Sequence, residues 1–172
     1  MILRRIRTAD AGAVAAAVSA SLDHLRPWMP WATPESAERR SQLARVAEAD
    51  EMWESGISHI YSVLTADVGT LVGEIGLHRR AGDGSIEIGY WIAGAHAGRG
   101  LGTSAAGAIT AVALALTGVS RVEIHCDEAN LASAAIPRKL GYRLDRIEVR
   151  QPEAPGESGR LMIWVQEGAD RG

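Results

Sequence analysis

Glu87-Ile88-Gly89-Tyr90-Trp91-Ile92-Ala93-Gly94-Ala95-His96-Ala97-Gly98-Arg99-Gly100-Leu101-Gly102-Thr103 decides how the rest of this 172-residue chain is read. Apolar patterning predicts a strand over 86–93, alternate glycines predict a tight loop, and the Ala-rich run to Leu116 predicts a helix. Without a Cβ, Gly98, Gly100 and Gly102 let the backbone take positive φ and approach a ligand closely. A helix starting near Gly102 points unpaired N–H groups and its positive dipole end into that loop. The stretch therefore predicts an anion cradle suited to a pyrophosphate.

Two other glycine-rich loops fail on their own residues. A Walker loop ends in Gly-Lys-Ser/Thr, and Leu101-Gly102-Thr103 brings no lysine. The dinucleotide fingerprint needs a glycine at 103 or 105, where Thr103 and Ala105 stand. Ala97-Gly98-Arg99-Gly100-Leu101-Gly102 instead resembles the acetyl-CoA loop of the GNAT N-acetyltransferases, Q/R-x-x-G-x-G/A, with Ala97 in place of Gln or Arg. Asn130-Leu131-Ala132-Ser133 followed by Arg138-Lys139-Leu140-Gly141-Tyr142 resembles the N-x-x-S…K-L-G-F/Y segment of the RimJ/RimL (ribosomal-protein-alanine N-acetyltransferase) branch. His24-Leu25-Arg26-Pro27-Trp28-Met29-Pro30-Trp31 is similar to that branch too, so the motifs occur in family order across nearly the whole chain.

Composition narrows the classes. A formal charge of −3 argues against neutralising the many phosphates of a nucleic acid, while one nucleotide cofactor is still allowed. The length is that of one domain, 1–172, with no internal repeat. Phenylalanine is absent, so the positions of the five Trp and three Tyr carry more weight than usual. Cys126 is the only cysteine, which excludes an intrachain disulfide, and the five histidines show no ligand spacing, so no metal is expected. Arg4, Arg5 and Arg7 before the small apolar run 11–20 superficially resemble a signal peptide, but Asp10 and the helical spacing of the run favour a helix of the fold. No segment approaches the roughly 20 apolar residues of a membrane span. The expected place is the cytoplasm, with neither nucleic acid nor membrane as partner.

Taken in order, the chain predicts a strand over 1–7 and a helix capped by Thr8, buried through Val14, Val18, Leu22 and Leu25. A Pro-stiffened loop carries Trp28, Met29 and Trp31. A charged helix follows from Thr33-Pro34-Glu35 to Ser55, with Leu43, Val46, Ala47 and Trp53 inward. An antiparallel meander over 57–65, 71–78 and 85–93 comes next. Its parity puts Glu74, Gly76 and His78 on one face of their strand, and Glu87, Gly89 and Trp91 on one face of the next. After the glycine loop, a helix buried through Ile109, Val112 and Leu116 leads to a strand over 121–127, parallel to 85–93 because the unit is a crossover. The helix from Asn130 to Gly141 contains Pro137, which removes the hydrogen bond to the Ser133 carbonyl, so a kink is expected. Strands over 142–150 and 160–166 flank an exposed loop over 151–159, and 167–172 is expected to fray.

The fold class is thus α/β. The resemblance implies a GNAT-like single domain, a mixed, mostly antiparallel sheet flanked by helices with splayed central strands, and acetyl-CoA as co-substrate. It implies a pyrophosphate on the backbone of Gly98, Arg99, Gly100, Leu101, Gly102 and Thr103, with the pantetheine arm along Ile92 and Ala93. It makes Asn130 a pantetheine contact and Ser133 the group that helps the thiolate leave, the role Tyr142 takes in other branches. Trp28, Trp31 and Trp91 form the expected wall for the acceptor.

A base is sought among carboxylates. Glu87 comes first because it lies on the strand that carries the acetyl group and on the face of Trp91, Glu74 comes second and His78 third. His96 and His125 are read as structural, and His24 as a substrate contact. Each choice has a plain reading beside it: Asn130 as a helix cap, Ser133 as a first-turn residue, Tyr142 as a core aromatic and the carboxylates as paired surface groups. The acceptor is a primary amine, either a peptide N-terminus or a small molecule, attacked without an acyl-enzyme because parity puts Cys126 with Val122 and Ile124. Ala97 and Pro137 keep an alternative alive, a non-catalytic acyl-CoA sensor or interaction module. Exposed Trp residues and sheet edges leave room for a homodimer.

Overall fold

Runs of alternating β-branched and aromatic residues, stopped by turn residues, give this chain one sheet. The computed structural model describes residues 1–168. Among them are β1 (Ile2–Arg5), β2 (Ser58–Leu64), β3 (Leu71–His78), β4 (Ser85–Ile92), β5 (Arg121–Asp127), β6 (Arg143–Val149) and β7 (Arg160–Glu167), in spatial order β1-β2-β3-β4-β5-β7-β6. Every neighbouring pair is antiparallel except β4 and β5. The helices are α1 (Ala11–Ser19), α2 (Leu22–Leu25), α3 (Arg39–Glu54), α4 (Leu101–Ala115) and α5 (Leu131–Lys139).

Helices cover both faces. On one, Ile86, Ile88, Val122 and Ile124 pack with Ala105, Ile109 and Ala113 of α4 and Ala134 of α5. On the other, Leu64, Leu71 and Trp91 pack with Val14 and Val18 of α1 and Val46 and Ala49 of α3. In β4 and β5 period-two alternation sorts the buried residues between the faces, whereas in β3 the register shift against Val63 and Leu64 places Leu71 in the cluster opposite Ile75 and Leu77.

The helices depart from the expected phases. The first one is split into a short 3-10 turn (Thr8–Asp10), α1 and α2, although Val14, Val18 and Leu25 are buried as expected. α3 starts only at Arg39, because Glu38 is extended with φ −82° and ψ 137°. It buries Gln42, Val46 and Ala49, not Leu43 and Ala47. Gln42 tolerates burial because its amide donates to the Ser36 carbonyl and its oxygen accepts from Arg45 Nε at 2.6 Å. α4 buries Gly102, Ala105, Ala106, Ile109, Thr110 and Ala113, while Val112 is 47% exposed and Leu116 also faces out. Small side chains win this interface because the neighbours come close: a Cβ on Gly102 would lie 3.0 Å from Ile136 Cδ1, and one on Gly107 3.0 Å from Leu140 Cδ2.

The loop over 151–159 is pinned, not free. Gly156 N–H donates to the Pro27 carbonyl at 2.8 Å, and Ala154 is buried. The Asp127 carboxylate at the end of β5 accepts from the N–H groups of Ser158, Gly159 and Arg160 and from Ser158 Oγ. Of the tail expected to fray, Glu167 pairs with Arg121 and Gly168 N–H donates to the Ser120 carbonyl at 2.8 Å; 169–172 lie outside the described residues.

Pairing between β4 and β5 is confined to Ser85–Arg121, Ile86–Val122 and Glu87–Glu123, although β4 continues to Ile92 and β5 to Asp127. Beyond Glu87 the two strands part.

Candidate active site

The parted strands leave backbone groups facing a gap. Gly84 C=O accepts from the N–H groups of Ser120 and Arg121, so the even-numbered residues of β4 turn their backbone toward β5. Past Glu87 this leaves Tyr90 and Ile92 pointing into the opening. Ala93 has the other parity: its N–H donates to the Val72 carbonyl and its C=O accepts from His96 N–H, both at 2.8 Å. Ala93 is thus corrected as a backbone contact, because both of its polar groups are used within the protein. Ile92 has the parity that faces the opening.

Where β4 ends, Gly98 (φ 73°) and Gly100 (φ 79°) take the left-handed conformation that only glycine adopts cheaply, with nothing within 4 Å of either Cβ position. Gly100 caps α4, and the first N–H after the loop with an acceptor in the chain is that of Ser104, donating to the Gly100 carbonyl at 2.9 Å. The N–H groups of 98–103 have no acceptor among the described residues. They form a ring of free donors at a helix N-terminus, suited to an anion. Gly98, Gly100, Leu101, Gly102 and Thr103, with Ile92, line a cleft of about 300 Å³ beside α5. Arg99 is exposed and lies outside it.

A second cleft, about 660 Å³, opens on the α1 and α3 side of the sheet. Both clefts touch Trp28, Tyr90, Trp91, Asn130 and Ser133, so they meet at the parted strands. Asn130 Oδ1 accepts from Ser133 N–H at 3.0 Å, capping α5 and fixing Ser133 in its first turn. Ser133 Oγ lies 3.1 Å from the Tyr90 hydroxyl. Tyr142 is not brought to this junction: it is buried in the core with its hydroxyl 2.6 Å from Thr110 Oγ1, and burial pushes its phenol up to about 12. The tyrosine at the junction is Tyr90. Its opposite parity to Trp91 was a signal available in the sequence.

The larger cleft is built from paired charges and aromatic rings. Trp91 is buried and donates from Nε1 to Glu74 Oε2 at 3.1 Å, and Trp31 stacks edge-on against it with centroids 6.0 Å apart. With Trp28 these make one wall. Trp31, 40% exposed, therefore belongs to the cleft.

Glu74 is 5% exposed and ion-paired to Arg45 at 2.6 Å. Glu87 is gripped by Arg80 through two hydrogen bonds of 2.7 Å. Burial pushes the Glu87 carboxyl up, but the Arg80 hydrogen bonds, with the charges of His125 and Arg80, outweigh it and hold the group below the usual carboxylate range. His78 stands across from Glu87 with Nδ1 2.8 Å from Ser58 Oγ, and burial with the Arg80 charge pushes its imidazole below its ordinary value.

Cys126 is buried, and desolvation pushes its thiol up to about 11, which leaves it inert as a nucleophile at neutral pH. Among the described residues no three His, Cys, Asp or Glu side chains are grouped to hold a metal ion. Nor is any helix among them long and apolar enough to cross a membrane. The arginine partners Arg45 and Arg80, and the loop residues Arg150, Glu153 and Glu157 that also line the cleft, were not singled out from the sequence. Arg45 meets Glu74 from 29 residues away, while Arg80 reaches Glu87, and Arg150 reaches Glu153 and Glu157, across turns whose side-chain directions no periodicity gives.

Comparison with known proteins agrees with this geometry. Residues 1–143 match the family model of the acetyltransferase (GNAT) domain, and the chain belongs to that family. It is an acetyl-CoA-dependent acetyltransferase, and nothing in the fold favours the non-catalytic alternative.

Among solved structures, the ribosomal-protein-S5-alanine acetyltransferase from Vibrio fischeri gives a TM-score of 0.87 at 16% identity, over 98% of this chain and 93% of that one. RimJ from Mycobacterium smegmatis, in complex with a CoA disulfide, gives 0.87 at 22% identity over 96% of this chain and 80% of that one. The microcin C7 self-immunity acetyltransferase MccE, in complex with acetyl-CoA and AMP, gives 0.86 at 16% identity over 96% and 91%. At these identities the likeness is one of fold. No curated protein matches the chain in sequence.

Proposed function

We propose that the enzyme acetylates the α-amine of a peptide or protein N-terminus by direct attack on the thioester. The observation that carries this is the grip of Arg80 on Glu87. Glu74 and Glu87, the two carboxylates singled out as bases, are both ion-paired, and Glu87 is held below its ordinary range, which weakens it as a base. The acceptor must then arrive partly neutral. An α-amine with a pKa near 8 is about a tenth neutral at pH 7, whereas a lysine near 10.4 is neutral at less than about one part in a thousand. A cleft of about 660 Å³ with an aromatic wall has room for the first side chains of a peptide.

In this reading the free N–H groups of 98–103 hold the pyrophosphate, and the amides of the pantetheine arm extend β4 at Tyr90 and Ile92. Glu87 keeps unused lone pairs beside Arg80 and accepts a hydrogen bond from the amine, positioning it. The Ser133 hydroxyl, held by Tyr90, donates to the departing thiolate. Trp28, Trp31 and Trp91 seat the acceptor. The buried, unpaired Cys126 accords with a reducing compartment, and the reaction belongs in the cytoplasm.

Thiol release and mass spectrometry test the acceptor. Peptides with a free N-terminus should be acetylated once, at the α-amine, and the same peptides blocked at the N-terminus but carrying lysine should not react. Turnover of blocked peptides, or of small amines only, would overturn the reading.

A further inference from the structure

Glu123 and His125 lie on the cleft side of β5. Glu123 sits in the last rung that β4 and β5 share, opposite Glu87, and His125 lies two residues further on, level with Gly89, where the strands have parted. His125 Nε2 is 2.6 Å from Glu123 Oε2, and Glu123 is buried with its other oxygen 2.8 Å from Arg121 Nε. A carboxylate only accepts, so the proton of a neutral imidazole sits on Nε2 and Nδ1 carries a bare lone pair. That nitrogen stands 3.7 Å from Glu87 Oε2, too far for a hydrogen bond, and His125 lines the cleft shared by Trp91 and Ser133. An imidazole oriented from behind by a buried carboxylate, with its second nitrogen open to the site, has the parts of a general base.

We propose that His125, oriented by Glu123, is the general base for the acceptor amine. The inference rests on the amine acceptor proposed above. The amine lone pair forms the C–N bond while the carbonyl pair moves to oxygen. The N–H proton passes to His125 Nδ1, collapse breaks the C–S bond with its electron pair going to sulfur, and the thiolate takes a proton from water or from Ser133, which solvent reprotonates. His125 then returns its proton to solvent.

The groups facing this imidazole are Glu87 with Arg80 from the β4 side, Glu123 with Arg121 from its own strand, and Ile163 on β7. His78 across from Glu87, and Arg150, Glu153 and Glu157 of the pinned loop, line the same cleft. Glu87 thus positions the amine, and the neighbouring imidazole takes its proton.

The test compares His125→Ala, His125→Gln and Glu123→Gln with the wild type at saturating acetyl-CoA and an N-terminal peptide. Both His125 variants should lose kcat by about 100-fold or more, with acetyl-CoA affinity unchanged within about twofold. They should lose the acid limb of the wild-type pH profile, and added imidazole should restore His125→Ala. Glu123→Gln, which no longer fixes the proton on Nε2, should also lower kcat with acetyl-CoA affinity unchanged within about twofold. A His125→Ala enzyme as fast as wild type, with the acid limb intact and no response to imidazole, overturns the proposal. Nitrogen-15 NMR of the wild-type imidazole reads the same arrangement without any acceptor: a neutral ring protonated at Nε2 supports it, and one protonated at Nδ1 overturns it. Absence of wild-type turnover on α-amines overturns the acceptor reading, while the NMR result still decides His125.

Discussion

The Tyr90 hydroxyl lies 3.3 Å from the Ser133 carbonyl oxygen, the acceptor that Pro137 deprives of its helical N–H. One side chain on β4 therefore satisfies the gap in α5 and, at 3.1 Å from Ser133 Oγ, fixes the serine at the junction of the clefts. Tyr90→Phe should cost about 1–2 kcal/mol in urea unfolding. In a Pro137→Ala background, where the helix regains its N–H, the same change should cost measurably less. Equal costs in the two backgrounds would separate the hydroxyl from the proline.

Ser133→Ala should lower kcat while leaving acetyl-CoA binding in place. Because a thiolate with a pKa near 8.5 leaves without full protonation, the loss should be at the lower end of general-acid effects, about 10- to 100-fold. Stopped-flow thiol release with a parallel calorimetric titration distinguishes the two effects. A fall in affinity with kcat preserved would make Ser133 a binding residue only.

Gly76 and Gly98 should fail differently. A Cβ on Gly76 would lie 2.6 Å from His78 Nε2 and 2.7 Å from Ile60 Cδ1, so Gly76→Ala overpacks the sheet and should cost about 1–3 kcal/mol. At Gly98 nothing lies within 4 Å, and Ala there pays only for φ 73°, about 1 kcal/mol, while disturbing the free donors of the loop. Thermal melts and acetyl-CoA titrations should show the first variant chiefly less stable and the second chiefly weaker in binding.

Asp127 ties β5 to the loop that carries Arg150, Glu153 and Glu157. Burial pushes its carboxyl up, but the hydrogen bonds from Ser158, Ala129 and Gly159 prevail and hold it below the ordinary 3.8. Its stabilisation is therefore present above about pH 4 and is lost as the pH falls through the lower folded value. Asp127→Asn turns an NH₂ toward donors and should cost about 2 kcal/mol or more at pH 7. Urea unfolding measured from pH 7 to pH 3 should then fall less steeply for the variant than for the wild type. Parallel profiles would show that Asp127 carries none of the acid sensitivity.

Much of this was legible in the chain. Leu71–His78 and Arg121–Asp127 form strands over the very residues that alternation and flanking turns marked, and the faces of Glu74, Glu87 and Trp91 followed from parity. The α4 phase was misread through Val112 and Leu116, because side-chain size was taken as the sign of burial where close helix–sheet approach selects Gly and Ala. Tyr142 is marked by the motif it follows, yet its hydroxyl is spent on Thr110 inside the core.

The sequence by itself determined what depends on near neighbours: strand faces, the left-handed glycines, the free N–H groups at the start of α4 and the carbonyl orphaned by Pro137. These are properties of local dihedrals and of period, which each short segment carries with it. Only the tertiary structure decided that Arg80 locks Glu87, that Arg45 holds Glu74, that β4 and β5 part beside His125, and that Tyr90 answers Pro137. Hydrogen bonds and ion pairs act over a few ångströms of space, and the folding of the sheet, not distance along the chain, brings those partners within that range.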